Sequence, residues 1–347
     1  MIKNPPAKSP TSRSRALGKV TLSDVAARAG VAPMTASRAI NQPELVSAVL
    51  RERVDKAVLE LGYVPNRAAR ALASAQSKVI VVLVPSLANT VFTAVLAGIQ
   101  DALDPCNYQI LIGNTRYSDA EEEKLMLTYL QSNPDGILLC GLTHSPRMQQ
   151  MLDTSRVPVV SMMDLSPEPG VLSVGFSQVD AGYTMTRYLI DKGRKRIGYM
   201  AAQLDERTLK RAEGYRKAME EAGLADPALE LMCPEPSNIA LGAELLGRML
   251  ASMPGLDAIF CCNDDLAHGA IFQCQRRGIK VPEQLAICGF NDLPASAWMK
   301  PSVTTVGTPL YQTGFEAASL LLASIRGTGV PAQRIDLGFT VMARESA

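Results

Sequence analysis

The chain has 347 residues, 47% hydrophobic and 20% charged, a balance that suits two or three globular domains with cores of their own. It has no apolar run of bilayer-spanning length, and its charged N-terminus lacks the apolar stretch of a secretory signal. The expectation is therefore a cytoplasmic protein that neither enters a membrane nor is exported. The net charge of +1 is unevenly laid out. Residues 1–78 hold 13 of the 35 Lys+Arg but only 5 of the 34 Asp+Glu, so a basic front suited to a phosphate backbone precedes an acidic body.

Residues 1–18, rich in Pro, Ser, Lys and Arg, cannot bury enough apolar surface to order themselves and are predicted to be a disordered basic arm. Thr21 then caps a helix with Asp24 in its first turn; Leu22, Val25, Ala26 and Ala29 form its inner stripe and Gly30 stops it. A second helix starts at Pro33, a residue suited to a first helical turn, although Ala32 before it offers no capping oxygen. A third runs from Ser47, a good N-cap, to Leu61, with Val54, Val58 and Leu61 inward and Gly62 ending it. The stretch from Val20 to Arg38 reads as helix, tight turn, helix, the geometry that lays one helix across a DNA backbone and the next in a major groove. After an extended turn over 63–66, Asn66 caps a short helix over 67–73, followed by a polar linker to Lys78. The predicted boundaries are 1–18 for the arm, 19–65 for the headpiece, 66–78 for hinge helix and linker, and 79–347 for the core.

From Val79 the period changes. Strand-like apolar runs at 79–84, 109–112, 136–140, 157–161, 196–201, 258–262 and 285–290 alternate with helical stretches at 90–103, 119–131, 179–192, 207–222, 241–253, 265–277 and 309–326. Such alternation means parallel sheets with crossover helices, here enough for two doubly wound subdomains facing a cleft, with ligands at the carboxyl ends of strands. The seven cysteines are odd in number, most sit in apolar runs, and they read as small core hydrophobes of a reducing compartment. Cys261-Cys262 with His268 and Cys274 could suggest zinc, but their strand-then-helix placement favours core packing. His144 reads as a plain loop histidine.

Leu22-Ser-Asp-Val-Ala-Ala-Arg-Ala-Gly-Val31, Met34-Thr-Ala-Ser-Arg38 and Leu61-Gly-Tyr-Val-Pro-Asn-Arg67 resemble the headpiece of the lactose-repressor (LacI/GalR) family. Asn263-Asp-Asp-Leu-Ala267 and Cys288-Gly-Phe-Asn-Asp292 resemble that family's sugar-binding core, itself similar to periplasmic sugar-binding proteins. Pro85-Ser-Leu-Ala-Asn-Thr-Val-Phe92, Val174-Gly-Phe176, Leu204-Asp-Glu-Arg-Thr208 and Asp336-Leu-Gly-Phe-Thr340 resemble its gluconate-responsive branch. The resemblance implies an all-α helix-turn-helix headpiece and an α/β core of two periplasmic-binding-protein-like subdomains with doubly wound parallel sheets.

For DNA, the resemblance puts base reading at the start of the second helix, where Pro33 and Met34 offer only apolar contacts. Arg38 is the residue there able to make a bidentate contact to guanine. Thr35, Ser37 and Asn41 fall to phosphate contacts that fix the register, and Thr21 is a further DNA-binding candidate. The segment from Asn66 resembles the family's hinge helix, with Leu72 as the minor-groove wedge and Arg67 and Arg70 near phosphates. Eight residues are too few for an isolated stable helix, so this one is expected to fold when two copies pair on DNA. For the effector, the resemblance implies Arg207 and Arg211 on one helix face as a clamp for an acid group. It adds Asn263 and Asn291 for hydroxyls, Asp164 as an acceptor, Phe176 as an apolar wall, and Ser86, Asn89, Phe92 and Arg116 on the opposite subdomain.

The expected function is a homodimeric repressor on a near-palindromic operator, released by a sugar acid such as gluconate or its 6-phosphate and using no cofactor or metal. The opposite logic, a ligand that strengthens DNA binding, stays open at this point. An enzyme is the first rival, but the chain has only two histidines and offers no phosphate loop, metal cluster or nucleophile motif. A secreted sugar-binding protein is the second, and the attached headpiece argues against it.

Overall fold

The computed structural model describes residues 20–64, 76–328 and 333–347. The chain divides into two units, Met1–Ala75 and Gln76–Ala347. The arm expected over 1–18 and the hinge helix with Asn66, Arg67, Arg70 and Leu72 lie outside the described residues.

In the first unit, α1 (Leu22–Ala29), α2 (Pro33–Asn41) and α3 (Ala48–Leu61) enclose a core of small side chains: Val25, Ala26, Ala29, Ala36, Ala39, Val54 and Ala57. Thr21 and Asp24 form a capping box, each side chain bonding the other's backbone N–H, which satisfies two of the helix's orphan donors. Gly30 closes α1 in the left-handed region at φ +65°, a conformation that suits glycine. Its missing Cβ also leaves room for Arg53, whose Nη2 donates to the Ala29 and Gly30 carbonyls at 2.6 and 3.1 Å. The cap expected of Ser47 is not made: its side chain bonds no backbone N–H, and α3 opens instead on the Arg51 N–H to the Ser47 carbonyl at 3.0 Å.

The second unit holds two six-stranded sheets. In chain order the elements are β1 (Val79–Val84), α4 (Thr90–Leu103), β2 (Gln109–Asn114), α5 (Asp119–Leu130), β3 (Gly136–Cys140), α6 (Pro146–Ser155), β4 (Val159–Met162) and β5 (Ser173–Gly175). Then come α7 (Gln178–Asp191), β6 (Ile197–Ala202), α8 (Glu206–Glu221), β7 (Glu230–Cys233), α9 (Ile239–Ser252), β8 (Ala258–Cys261), α10 (Asp264–Arg277) and β9 (Ala286–Asn291). The chain closes with β10 (Thr304–Gly307), α11 (Leu310–Arg326), β11 (Arg334–Asp336) and β12 (Thr340–Met342). The first lobe has strand order β11-β5-β4-β3-β1-β2 and the second β12-β10-β9-β8-β6-β7. Pairing is parallel throughout both sheets except between β10 and β12.

β6 and β9 are buried along their whole length, as is β1 from Ile80 onward, because helices cover both faces of each sheet. The chain crosses between lobes after β5, after β10 and after β11. In the second lobe α7 and α8 pack closely, with Gly182 against the Arg211 backbone and Gly214 against the Val179 carbonyl. Neither site has room for a Cβ, and this close approach seats the α8 arginines. Seven strands and seven core helices match the sequence expectation to within two residues at nearly every end. β5, β7, β10, β11, β12 and α6 were not expected.

Candidate effector cavity and nucleic-acid interface

A cavity of about 680 Å³ opens at the carboxyl ends of the strands, where the two lobes face each other. Four helices begin on its wall. Asn89 caps α4, Asp205 caps α8, Asn238 caps α9 and Asn263 caps α10, each accepting a backbone N–H from the first turn at 2.9–3.0 Å. All four caps line the cavity. Helix amino ends carry partial positive charge and free N–H groups, so their convergence makes the space favourable to an anion.

Two buried guanidinium groups add to that field. Arg211 lies over the Phe290 ring, its Cζ 3.7 Å from the ring centre, and donates through Nε to Gln178 at 2.8 Å and through Nη1 to the Cys262 carbonyl at 2.6 Å. Its Nη2 has no partner among the described residues. Burial pushes its pKa below the ordinary guanidinium value, and no carboxylate among the described residues forms an ion pair with it. Arg207 is compensated instead: its Nη2 meets Asp205 at 2.8 Å and its plane sits over Phe92. Burial works against its charge, but the Asp205 carboxylate, with smaller help from Cys140 and Tyr117, holds its pKa above the usual value. Asp205 is correspondingly lowered: burial alone would raise it, but Arg207 and the Thr208 N–H more than offset that. Asp265, also on the wall, is raised by burial.

Of the effector residues expected from sequence, Ser86, Asn89, Phe92, Arg116, Arg207, Arg211, Asn263 and Asn291 all line this one cavity. Asp164 and Phe176 do not. The Asp164 carboxylate is held by Lys210 at 2.5 Å and by the Leu165 N–H at 2.8 Å, behind the wall. Phe176 is one layer deeper, stacked at 6.2 Å on the Phe290 ring that Arg211 covers. His144 is also elsewhere, its Nδ1 against Glu122 at 3.0 Å. His268 bonds Ser296 Oγ at 2.8 Å, and Cys261, Cys262 and Cys274 pack in the second-lobe core.

Several wall residues escaped the sequence reading, among them Tyr117, Gln203, Asp205, Ser237, Asn238 and Asp265. For Asn238 a signal was present: Ser237-Asn238 ahead of an apolar run is an N-cap pattern. Arg116, Tyr117, Met163, Gln203 and Asn291 share a further property, a backbone φ between +54° and +108°. Such conformations are costly for residues with a Cβ, and their concentration around one cavity marks it as a functional site.

The headpiece offers a different kind of surface. Residues 20–64 carry Arg28, Arg38, Arg51, Arg53 and Lys56 against Asp24, Glu44, Glu52, Asp55 and Glu60, so the folded body is electrically neutral. The basic excess of the front belongs to the flanking segments, with Lys3, Lys8, Arg13, Arg15 and Lys19 before it and Arg67, Arg70 and Lys78 after it. Arg28 pairs with Glu60, whereas Arg38 is exposed on α2 with no partner among the described residues. Pro33 and Met34 are exposed beside it, Met34 to 65%. Asn41 donates to the Ser37 carbonyl at 2.9 Å, Thr35 is half-buried, and the Thr21 hydroxyl is bonded to Asp24 at 2.7 Å. Among the described residues no helix is long and apolar enough to cross a membrane.

Comparison with known proteins matches both units. Residues 21–66 match the family described as bacterial regulatory proteins, lacI family, and residues 77–339 match periplasmic binding proteins and sugar binding domain of LacI family. The chain is 49% identical over 333 residues to the HTH-type transcriptional regulator GntR of Pseudomonas aeruginosa, covering 96% of this chain and 97% of that one. A crystal structure of transcription regulator GntR from Chromobacterium violaceum is 50% identical, with TM-score 0.76 over 77% of this chain and 98% of that one. The lac repressor dimer bound to operator and an anti-inducer is 25% identical, with TM-score 0.83 over 94% of this chain and 99% of that one.

Proposed function

We propose that this chain, which belongs to the LacI family of bacterial regulatory proteins, is a cytoplasmic homodimeric repressor that a sugar acid, gluconate or its 6-phosphate, releases from a near-palindromic operator. As a family member it is a DNA-binding transcription regulator with a ligand-binding core, and its relatives are regulators rather than enzymes.

The observation that carries the choice of an acid is the convergence, on one cavity, of four helix amino ends and Arg211, which has no ion-pair partner among the described residues. A neutral sugar could accept a hydrogen bond from Arg211 Nη2 but would leave its charge and this positive field unanswered, whereas a carboxylate meets both. Asn89, Asn263, Asn291 and Ser86 supply amide and hydroxyl groups for the polyol chain, and Phe92 supplies an apolar wall. On DNA, Arg38 reads a guanine, Pro33 and Met34 make apolar base contacts, and Thr21, Thr35, Ser37 and Asn41 set the register on phosphates. Asn66, Arg67, Arg70 and Leu72 form the hinge that pairs on the operator and kinks it.

Release requires only that the acid bind one lobe arrangement better than the other, since a ligand shifts an equilibrium by no more than its differential affinity. Calorimetric titration with gluconate, 6-phosphogluconate and glucose tests the reading, paired with operator binding by fluorescence anisotropy. Heat with an acid and none with glucose, together with loss of operator binding, is expected. Heat with glucose alone overturns the acid assignment.

A further inference from the structure

Asp164, the residue that sequence placed in the cavity, has another engagement. It follows β4 in the first lobe, and its side chain is buried to within 5%. Its partner Lys210 stands on α8 of the second lobe, at 2.5 Å. Lys210 also meets Glu206, one turn earlier on α8, at 2.8 Å. Glu206 in turn accepts the backbone N–H of Thr143, in the loop after β3 of the first lobe, at 3.2 Å. Four groups therefore alternate between lobes: Asp164, Lys210 with Glu206, and Thr143. Burial works against the Lys210 charge, yet the two carboxylates hold its pKa above the usual lysine value.

This bridge adjoins the anion-binding arginine on both sides. Lys210 and Arg211 are consecutive on α8. Across the lobe boundary, Met163 and Asp164 are consecutive after β4. Gln178 completes the second link, accepting from Arg211 Nε at 2.8 Å and donating to the Met163 carbonyl at 2.8 Å. A shift of Arg211 toward an acid in the cavity therefore displaces the same turn of α8 that Asp164 grips. The cavity of about 680 Å³ is larger than a six-carbon acid fills, so enclosing one draws the lobes together.

We propose that Lys210 is a charged latch between the lobes: its bridge from Asp164 to Glu206 holds the open, operator-competent arrangement, and closure around the effector works against it. This rests on the effector reading above and adds the element whose equilibrium the effector biases. Because effector and operator select opposite arrangements, removing the latch moves their affinities in opposite directions, each in proportion to the change in population of the arrangement it selects.

The test uses the full-length chain and the variants Lys210→Met, Asp164→Asn and the double variant. The double variant is the decisive one, because Lys210→Met alone leaves the Asp164 carboxylate buried without its partner, which destabilises for reasons unrelated to coupling. It is expected to bind gluconate at least about fivefold more tightly and operator more weakly, with the two single substitutions non-additive. Glu206→Gln, which keeps an acceptor for Thr143, is expected to shift both affinities less. Unchanged affinities overturn the latch, and so does a parallel weakening of both with a lower Tm. If the unsubstituted protein gives no heat with gluconate, the effector reading falls, and operator binding by the double variant judges the latch alone: weakening at unchanged Tm sustains it, and no change overturns it.

Discussion

The headpiece and the core place their charges in opposite ways. The folded headpiece is neutral, keeps its arginines at the surface or on backbone carbonyls, and carries its positive charge in flanking chain. The core, acidic as a whole, buries two arginines and four helix amino ends around one cavity. With the proposed effector, the difference follows from the ligand. A duplex is a long polyanion whose phosphates exchange counterions, so cations spread along the chain neutralise it without a preformed site. A small acid offers one charge, and binding it requires donors fixed in advance in a dry pocket.

The most direct way to break this comparison is Arg211→Met, which keeps bulk over Phe290 but removes a buried cation that has no ion-pair partner among the described residues. Gluconate affinity is expected to fall on the order of 100-fold, by charge-assisted hydrogen bonds lost, with operator affinity nearly intact. A fall of less than a few-fold by calorimetry would mean that the helix ends alone bind the acid. Removing residues 1–19 tests the other side. The five cations there are expected to lower the slope of log K against log salt by up to about 4, while Arg38 still selects its base pair. An unchanged slope would place the electrostatic grip elsewhere.

Arg38→Ala separates grip from reading within the headpiece. It is expected to cost about 1–3 kcal/mol on the preferred operator and nothing on one mutated at the contacted base pair, as read by anisotropy with both duplexes. The smallest effect concerns Asp265. Its burial raises its pKa, and its negative charge opposes an acidic ligand. As pH falls through that raised pKa, Asp265 takes up a proton and gluconate binding strengthens; above it, the carboxylate is ionised and the gain is lost. Asp265→Asn is expected to tighten binding a few-fold near neutral pH, consistent with one partly solvated charge pair, and to flatten the pH dependence. Titration in two buffers of different ionisation enthalpy would detect the proton uptake.

How far the sequence reached can be followed residue by residue. Continuous buried strands such as Val79–Val84 and Ala286–Asn291 were plain, because a sheet covered on both faces needs unbroken apolar runs. The edge strands β7, β11 and β12 have three or four residues and partly exposed side chains, so no periodicity exists to find. β5 and β10 are buried but too short to stand out from loop. In the cavity, residues at strand ends and helix starts were legible by position. Asp164 was not, because its partner Lys210 is 46 residues away in another lobe. Asp265 reads like any first-turn helix acid until burial is known. The charge asymmetry of the front was visible in the counts, but its absence from the folded body emerges only with the boundaries of α1 and α3.

The four amino ends meeting at the cavity bear on how such a protein diverges. A field built from peptide groups survives every single-residue substitution that leaves the helices standing. Side chains such as Asn263 or Ser86 can be exchanged one at a time. Descendants of this scaffold can thus exchange wall side chains while the cavity's favourable field for an anion persists, so the two levels of selectivity are inherited separately.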